Sequence, residues 1–463
     1  MSTAEAGARW SSRLSDLAEE SRVAGAVLGI WADGHETVAT HGVLNTATQA
    51  PVTADSLFQV GSITKTWTAS MIMQLVDEGR LSLADTVAEL LPGVRLGSAD
   101  ASGDVTVRHL LTHTSGIDGD IFTDTGRGDD CVERYVGQLA DAPQTHPVGA
   151  AYSYCNSGFV VLGRIIEVLD QRGWDESLRR RLVEPLGLTE TVTLPEQAIL
   201  HRAAVGHRER PHEHDPVPTW QLPRSIGPAG LITAGVHDVL QFARLHLDGG
   251  VTPAGRQVLS EQSVQAMREP QFAIPSVGER DDAIGLAWRL NRWSGRRIFG
   301  HDGGTVGQLA YLRVDPQARV AVCLLTNASA SQLLYQRLFS EVFGEYAGIS
   351  MPGDPEPLPE AESEHLDGRR LQRHVGRYER SSQRFDVTMR DGRLHAVSTV
   401  TRDRASVGDE GPEEFFLHPI DASGDHFAVR LYDDEPWGTL SFDRFPDETP
   451  YLYLGGRSTP RVS

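Results

Sequence analysis

The stretch that organises this 463-residue chain is Gly61-Ser62-Ile63-Thr64-Lys65. Apolar residues follow it at helical spacing through residues 67–76, and Gly79 is a typical helix stop. We therefore predict a helix from Thr64 to Glu78, with Ser62 at or just before its N-terminus. Residues three apart share a helix face, so the Ser62 hydroxyl and the Lys65 amine are expected to lie within reach of each other.

This spacing is what nucleophilic catalysis by serine requires. A serine hydroxyl is a poor nucleophile until a base takes its proton, and a lysine is a base only when burial or positive neighbours lower its pKa. The helix N-terminus adds backbone N–H groups beside Ser62, which can stabilise an oxyanion. Alone, the S-x-x-K pattern is weak, because an N-cap serine followed by a solvated lysine gives the same spacing.

A second segment, Tyr154-Cys155-Asn156, follows the turn-like residues 147–153. A tyrosine presented there is a candidate second base, handing protons between Ser62 and a leaving group. The Asn156 amide is a candidate either to bond an amide of the substrate or to hold Lys65. Cys155 would need an activating histidine to act as a rival nucleophile, so we assign the function of this segment to the other two residues.

A third segment, Gly300-His301-Asp302-Gly303-Gly304, precedes a predicted strand. Glycines let the backbone approach a ligand closely, and the N–H of Gly304 is a candidate second oxyanion donor beside that of Ser62. We expect His301 to face the site, and we expect Asp302 and Gly303 to bind the substrate or support the site.

Together the three segments resemble the serine β-lactamase and penicillin-binding-protein superfamily, whose motifs are S-x-x-K, S/Y-x-N and K/H-x-G. They stand here in the family's order as Ser62-x-x-Lys65, Tyr154-x-Asn156 and His301-x-Gly303. The resemblance extends over about residues 10–345 and is closest to the class-C-like branch of esterases, D-amino-acid-specific peptidases and biosynthetic acyl transferases. The flanking segments that agree are residues 53–62, 78–85, 109–116, 185–188 and 300–304.

The resemblance implies an acyl-enzyme on Ser62, with Lys65 and Tyr154 as general bases. It favours hydrolysis of an ester or a D-configured peptide. The expected substrate is a small molecule or a peptide, and no metal or cofactor is expected. An alternative is a penicillin-binding-protein-type thioesterase or transacylase that cyclises or aminolyses a peptidyl (thio)ester. An alternative of another class is a non-catalytic binding module with the same fold.

One departure from the family concerns the third motif, where β-lactamases and many carboxypeptidases carry lysine. Lysine supplies a fixed positive charge for a substrate carboxylate, whereas neutral histidine does not. His301 therefore argues against efficient β-lactamase or D-Ala carboxypeptidase activity. Arg224, Arg289 and Arg297 are candidates to replace the charge.

The fold class expected is α+β: a β-lactamase-like domain over residues 1–350, with an antiparallel sheet flanked by helices and a helical subdomain. Residues 351–364 are rich in Pro and acidic residues and are predicted to be a linker. Residues 365–463 contain short alternating runs broken by turns, which predict a small β-barrel, and the tail at 453–461 resembles the lipocalin-like C-terminal domain carried by some members of the family. In the first domain we predict helices at 7–22 and 332–343, a β-hairpin at 24–41, and strands at 285–290, 308–314 and 320–325.

The charge and composition of the chain argue against several other functions. The net charge of −20 disfavours nucleic-acid and anionic-membrane binding, and no run reaches the roughly 18 apolar residues of a membrane span. Three scattered cysteines and an N-terminus without an apolar leader favour a cytoplasmic protein.

The histidines of segment 207–215 fit no zinc motif and are assigned to a solvated loop, and His113 is assigned a structural role. The oligomeric state is left open.

Overall fold

The computed structural model describes residues 3–97, 100–210, 213–275, 282–359, 368–401, 411–431 and 436–463. Its α-helices are α1 (Thr3–Glu20), α2 (Thr64–Asp77), α3 (Val87–Leu90), α4 (Val107–Leu111), α5 (Cys131–Gln138), α6 (Asn156–Asp170), α7 (Trp174–Leu178), α8 (Glu184–Leu186), α9 (Pro195–Ala198), α10 (Gly227–Gly230), α11 (Val236–Leu247), α12 (Glu261–Arg268), α13 (Gln332–Tyr346) and α14 (Gly368–Gln372).

The strands before the predicted linker are β1 (Gly25–Ala32), β2 (His35–Asn45), β3 (Ala50–Pro51), β4 (Phe58–Gln59), β5 (Thr191–Val192), β6 (His207–Arg210), β7 (Glu213–Pro216), β8 (Thr233–Ala234), β9 (Phe272–Ala273), β10 (Ala283–Ile284), β11 (Arg289–Trp293), β12 (Arg296–Thr305), β13 (Gln308–Asp315) and β14 (Val320–Thr326). The later strands are β15 (Gly376–Arg380), β16 (Gln383–Arg390), β17 (Arg393–Val400), β18 (Glu413–Phe416), β19 (His418–Pro419), β20 (His426–Val429), β21 (Gly438–Arg444), β22 (Pro450–Leu454) and β23 (Arg457–Pro460).

One nine-stranded sheet unites the beginning and the end of the first region, in the order β3-β2-β1-β14-β13-β12-β11-β10-β9. β1 pairs antiparallel with both β2 and β14, which places Ala26 opposite Thr326. The turn between β1 and β2 has positive φ at Asp33 (53°) and Gly34 (79°), the pattern of a two-residue hairpin turn. The α+β class and the joining of early and late strands are therefore confirmed.

Side chains of β1 and β14 alternate between two cores, because successive residues of a strand point to opposite faces. Ala26, Leu28 and Ile30 pack in one cluster with side chains of α1 and α13. Val27 packs on the other face in a larger cluster with side chains of α2, α6 and α11. The sheet is thus covered by helices on both faces, and α2 lies inside the larger core.

The strand predicted at 285–290 is partly wrong, since β11 begins only at Arg289. The apolar residues before it form a tight turn between β10 and β11, in which the Gly285 N–H donates to the Trp288 carbonyl (2.8 Å) and Ala287 has a positive φ of 71°. These side chains are buried under the turn, so the run is apolar without being a strand.

The solvated loop predicted for segment 207–215 is also wrong, because β6 and β7 pair there as a hairpin. His207 is fully buried, and its Nδ1 lies 2.9 Å from the Asn327 carbonyl oxygen. Residues 211–212 of this segment lie outside the described residues.

The C-terminal region contains a four-stranded sheet, β15–β18, and a five-stranded sheet, β19–β23, among its described residues. An antiparallel bridge between Tyr378 and Arg461 joins them, and one apolar cluster fills the space between them. Closure into a barrel and the domain boundaries stay predictions. Residues 351–359 of the predicted linker carry neither helix nor strand, and residues 360–364 lie outside the described residues.

Candidate active site

Ser62 lies in a 3-10 turn, Gly61–Ile63, that leads directly into α2. Gly61 has a positive φ of 51°, a conformation that favours glycine. Lys65 is the second residue of α2 and is fully buried. Its Nζ lies 2.9 Å from Ser62 Oγ and donates to the Ala229 carbonyl oxygen at 2.6 Å. The predicted reach between the two side chains is therefore observed.

The surroundings of Lys65 favour its uncharged form. Burial lowers the pKa of the Lys65 amine well below its ordinary value, and the positive charge of Arg457 lowers it further, against an opposing effect of Asp120. An uncharged amine has a lone pair with which it can take the Ser62 proton. The pair thus combines the short distance and the lowered amine pKa that activation of a serine nucleophile needs.

Tyr154 lies in the loop that precedes α6 and is buried beside the same two residues. Its side chain hydrogen-bonds to that of Ser62, and its ring centroid lies 4.9 Å from Lys65 Nζ. Burial raises the pKa of Tyr154, against the opposing effect of nearby arginines, so the phenol keeps its proton. This hydroxyl can therefore donate to an atom that leaves or attacks at Ser62.

His113 and Cys155 hold this loop in place by ring stacking and hydrogen bonds. The His113 ring stacks on the Tyr154 ring with centroids 4.3 Å apart, and its Nδ1 accepts a hydrogen bond from the Cys155 N–H (2.9 Å). Burial raises the pKa of the Cys155 thiol to about 11, and its Sγ accepts from the Gly158 N–H at the start of α6. Cys155 is a protonated helix cap in this position, which is unlike an activated nucleophile.

His301 is buried in β12, with its ring centroid 6.0 Å from that of Tyr154. Its Nδ1 lies 2.6 Å from the Asp302 carbonyl oxygen, which can only accept, so Nδ1 carries the proton of the neutral ring. Burial and the charge of Arg289 lower the pKa of His301 well below its ordinary value. Nε2 is buried and has no hydrogen-bond partner among the described residues. The structure therefore presents this histidine as a hydrogen-bond acceptor.

The two glycines after His301 bring the β12 backbone against the turn that carries Ser62. A Cβ atom on Gly303 would overlap the Val60 carbonyl oxygen, and one on Gly61 would lie 2.6 Å from the Gly304 nitrogen. Gly304 pairs with Leu309, next to the hairpin pair that flanks a two-residue turn. Because hydrogen-bonded and non-hydrogen-bonded pairs alternate along such a ladder, the Gly304 N–H points away from β13, as an oxyanion donor would.

Asn156 begins α6, and its Nδ2 donates to Asp120 Oδ1 at 3.1 Å. Asp120 also binds Arg457, which lies in the last strand of the chain. The same C-terminal turn contacts the loop before α6 directly, since the Tyr154 N–H donates to the Gly456 carbonyl oxygen (2.8 Å). The C-terminal region therefore forms one wall of the candidate site.

Of the three arginines considered as substitutes for the family's lysine, only one lies at the site. The Arg289 guanidinium is 5.5 Å from the Tyr154 ring centroid and 3.8 Å from an Asp302 carboxylate oxygen. Arg224 pairs with Asp129 and Asp175. Arg297 pairs with Asp282 instead.

Asp120, Arg457 and the Ala229 carbonyl were not foreseen from the sequence. The pair Gly455-Gly456 before Arg457 marks a tight turn, and two acids flank a glycine at residues 118–120. Neither pattern indicates which distant segment it will contact, so the sequence held no usable signal for this part of the site.

A serine beside a buried lysine, a protonated tyrosine and a glycine-lined backbone corner define a serine acyl-transfer class of site. The family model described as Beta-lactamase matches residues 10–338, and the chain belongs to this family, which includes β-lactamases and penicillin-binding-protein homologues.

The chain is also similar to individual relatives and solved structures. It is 43% identical to penicillin-binding protein 4 of Amycolatopsis lactamdurans over 360 residues, 76% of this chain and 94% of that protein. A crystal structure of SurE matches with a TM-score of 0.76 and 28% identity over 100% of both chains, and one of SurE with D-Leu matches with 0.75 and 28% over 98% of each. A D-stereospecific amidohydrolase from Streptomyces matches 73% of this chain and 98% of its own with 0.58 and 26%.

Two further observations bear on ligands and surroundings. Within the described ranges, no cluster of three or more His, Cys, Asp or Glu side chains is placed to hold a metal ion. None of the described helices combines the length and the apolar character needed to cross a bilayer.

Proposed function

We propose that this chain transfers an acyl group from an ester or amide donor through an acyl-enzyme on Ser62. The observation that carries the proposal is the 2.9 Å approach of Lys65 Nζ to Ser62 Oγ, at a site where burial lowers the pKa of the amine well below its ordinary value. A solvated lysine would be protonated at neutral pH and would leave the serine hydroxyl intact.

In the acylation step, Lys65 takes the Ser62 proton while Oγ bonds to the carbonyl carbon of the donor. The N–H groups of Ser62 and Gly304 stabilise the oxyanion. When the intermediate collapses, the bond to the leaving group breaks, and the leaving group takes a proton that passes from Lys65 through the Tyr154 hydroxyl. The products are acyl-Ser62 and the neutral alcohol, amine or thiol.

In the second step, a nucleophile attacks the acyl carbon and loses its proton to the same Tyr154–Lys65 pair. The proton returns to Ser62 Oγ as the ester bond breaks, so the protein regains its starting state. With water as the nucleophile the reaction is hydrolysis, and with an amine it is aminolysis or cyclisation.

For the donor, we favour an acyl group that carries a D-configured residue. SurE, which matches both regions of this chain, has a structure with D-Leu, and the 26% identical Streptomyces enzyme is described as a D-stereospecific amidohydrolase. The chain shares with them the fold of the region that contains Ser62, which supports a donor of the same handedness.

Transfer to an amine is the second candidate, and the state of His301 favours it. Its free Nε2 lone pair can accept a hydrogen bond from an incoming N–H or O–H, but it repels a carboxylate. The C-terminal turn also packs against Tyr154, through the Gly456 carbonyl and the Arg457 guanidinium. An enzyme of this kind would resolve acyl-Ser62 with an amine of its own substrate.

The test uses peptidyl thioesters that end in a D- or an L-residue and carry a free N-terminal amine. We expect a mass increase of the protein by one acyl group, mapped to the peptide containing Ser62, with the D-donor reacting faster. The ratio of free acid to cyclic product then separates hydrolase from transferase. Absence of acylation at Ser62 with all donors would contradict the proposal, and almost pure free acid would contradict the second candidate.

A further inference from the structure

A single buried carboxylate joins the second motif to the C-terminal strands. Asp120 accepts a hydrogen bond from Asn156 Nδ2 (3.1 Å) on one side. On the other side it accepts from Arg457 Nη2 (2.9 Å) and Nε (3.1 Å) and from Arg380 Nη1 (2.7 Å). Its side chain is only 5% exposed, as is that of Arg380, so these charges are paired away from water.

The contact with Asp120 sets the orientation of the Asn156 amide. A carboxylate can only accept, so the group that faces Asp120 must be the donor Nδ2, and Oδ1 is turned away from it. An amide without such a partner can turn over and exchange its donor and acceptor. Asp120 thus determines that Asn156 presents its oxygen on the side opposite the carboxylate.

The contact between Asp120 and Arg457 also affects the position of Tyr154. The guanidinium of Arg457 lies 4.8 Å from the centroid of the Tyr154 ring, and the neighbouring Gly456 carbonyl holds the Tyr154 N–H. Because Arg457 is bound at two atoms, the paired geometry fixes the guanidinium in orientation as well as in position. The contact that positions Arg457 therefore also positions the face on which Tyr154 rests.

We propose that Asp120 is a positioning residue for acyl transfer, which fixes the Asn156 amide and holds Arg457 against Tyr154, so that the C-terminal strands complete the active site. The inference rests on the proposed function, because the step that it supports is acylation of Ser62. Asp120 lies outside the three motifs, and Arg457 lies outside the matched family segment.

Asp120 also acts on Lys65 through its charge, which a residue with a purely structural role would not do. Asp120 raises and Arg457 lowers the pKa of Lys65. Removing the carboxylate charge therefore lowers that pKa, and the rising limb of a pH–rate profile, which reports uncharged Lys65, moves to lower pH. The other titratable or charged groups facing Lys65 are Arg289, His113, Cys155, Tyr154 and His301.

The experiment measures the rate of Ser62 labelling by a fluorophosphonate against pH in the full-length protein. We expect Asp120→Asn to label about 100-fold more slowly, as small misplacements of reacting groups do, with its rising limb at lower pH than in the wild type. Asp118→Asn is the matched control. This variant removes a charge from the same loop. The Asp118 carboxylate accepts from the N–H groups of Ser381 (2.7 Å) and Asp120 (3.4 Å) but binds neither the Asn156 nor the Arg457 side chain, so the variant should keep the wild-type rate and profile.

A second variant covers the case in which Asp120→Asn alone does not fold. In Asp120→Asn with Arg380→Gln, one negative and one positive charge are removed together, so the local net charge is unchanged and folding should recover while labelling stays slow. A double variant that labels at the wild-type rate, or a folded Asp120→Asn with wild-type rate and pH profile, would overturn the role of Asp120. A wild-type protein that is not labelled at Ser62 would instead contradict the proposed function, and with it this role.

Discussion

The Ser62–Lys65 pair and the C-terminal turn at Arg457 build the same site in opposite ways. Lys65, in the first turn of α2, reaches Ser62 in the 3-10 turn three residues before it. Arg457 reaches Asp120 across 337 positions of the chain. The first contact depends on helix geometry, whereas the second depends on how two regions dock. Reactivity is therefore encoded locally, and the surroundings that adjust it are assembled at long range.

The Ser62–Lys65 pair and the C-terminal region are also held in place by different packing. Lys65 sits in a helix whose residues Thr64–Leu75 are all buried, so its position is set by the main core. The C-terminal region docks through a small cluster of mostly aromatic side chains, which includes Tyr152, Tyr154, Tyr451 and Tyr453. Loss of the first region should abolish the chemistry, and loss of the second should change its rate and pH dependence.

The largest effect is expected from Ser62→Ala. Without Oγ no acyl-enzyme can form, so turnover should fall by a factor on the order of 10⁶, as in enzymes that lose a serine nucleophile. Labelling by a fluorophosphonate should disappear, while circular dichroism and the thermal midpoint stay close to wild type. A variant that still turns over substrate at a comparable rate would show that the local pair is not the centre of the chemistry.

The next effect is expected from removing the proton-transfer groups. Lys65→Ala and Tyr154→Phe should each slow acylation by about 10²–10⁴-fold, the usual contribution of a general base or acid. Stopped-flow labelling with an activated ester measures this step directly. Because Tyr154→Phe keeps the ring between His113 and Arg457, it isolates the hydroxyl. Equal rates for that variant and the wild type would remove Tyr154 from the mechanism.

Much of the fold could be predicted because its patterns are local. The helix predicted at Thr64–Glu78 is observed at Thr64–Asp77, and the first hairpin is observed where it is predicted. The strands predicted at 308–314 and 320–325 are observed at Gln308–Asp315 and Val320–Thr326. Residues 285–288 misled the prediction, because an apolar turn packed under the sheet has the composition of a strand.

The chemical part of the site could be predicted for a related reason. Each motif contains its own spacing, and the family order indicates that Ser62, Tyr154 and His301 meet, which the structure shows as neighbouring side chains. The catalytic roles assigned to them stay predictions. Asp120 and Arg457 could not be foreseen, because an ion pair between distant segments leaves no periodicity in either segment.

The smallest effect, and the one that separates the two regions most sharply, is expected from Arg457→Met. Its loss takes a positive charge from the surroundings of Lys65, and this raises the pKa of the amine. The rising limb of the labelling rate should therefore move to higher pH, opposite to the shift predicted for Asp120→Asn. At neutral pH the rate should fall about tenfold, since Tyr154 loses part of its support.

Arg461→Met is the control for this shift, because Arg461 lies just beyond the same strand and binds the carbonyl oxygens of Arg373 and Ser463, away from Lys65. It should leave the pH profile unchanged. Shifts in the same direction for Arg457→Met and Asp120→Asn would mean that both variants act by loosening the C-terminal region. Opposite shifts require that the charges themselves reach Lys65, so that a turn 392 positions from the lysine adjusts its proton affinity.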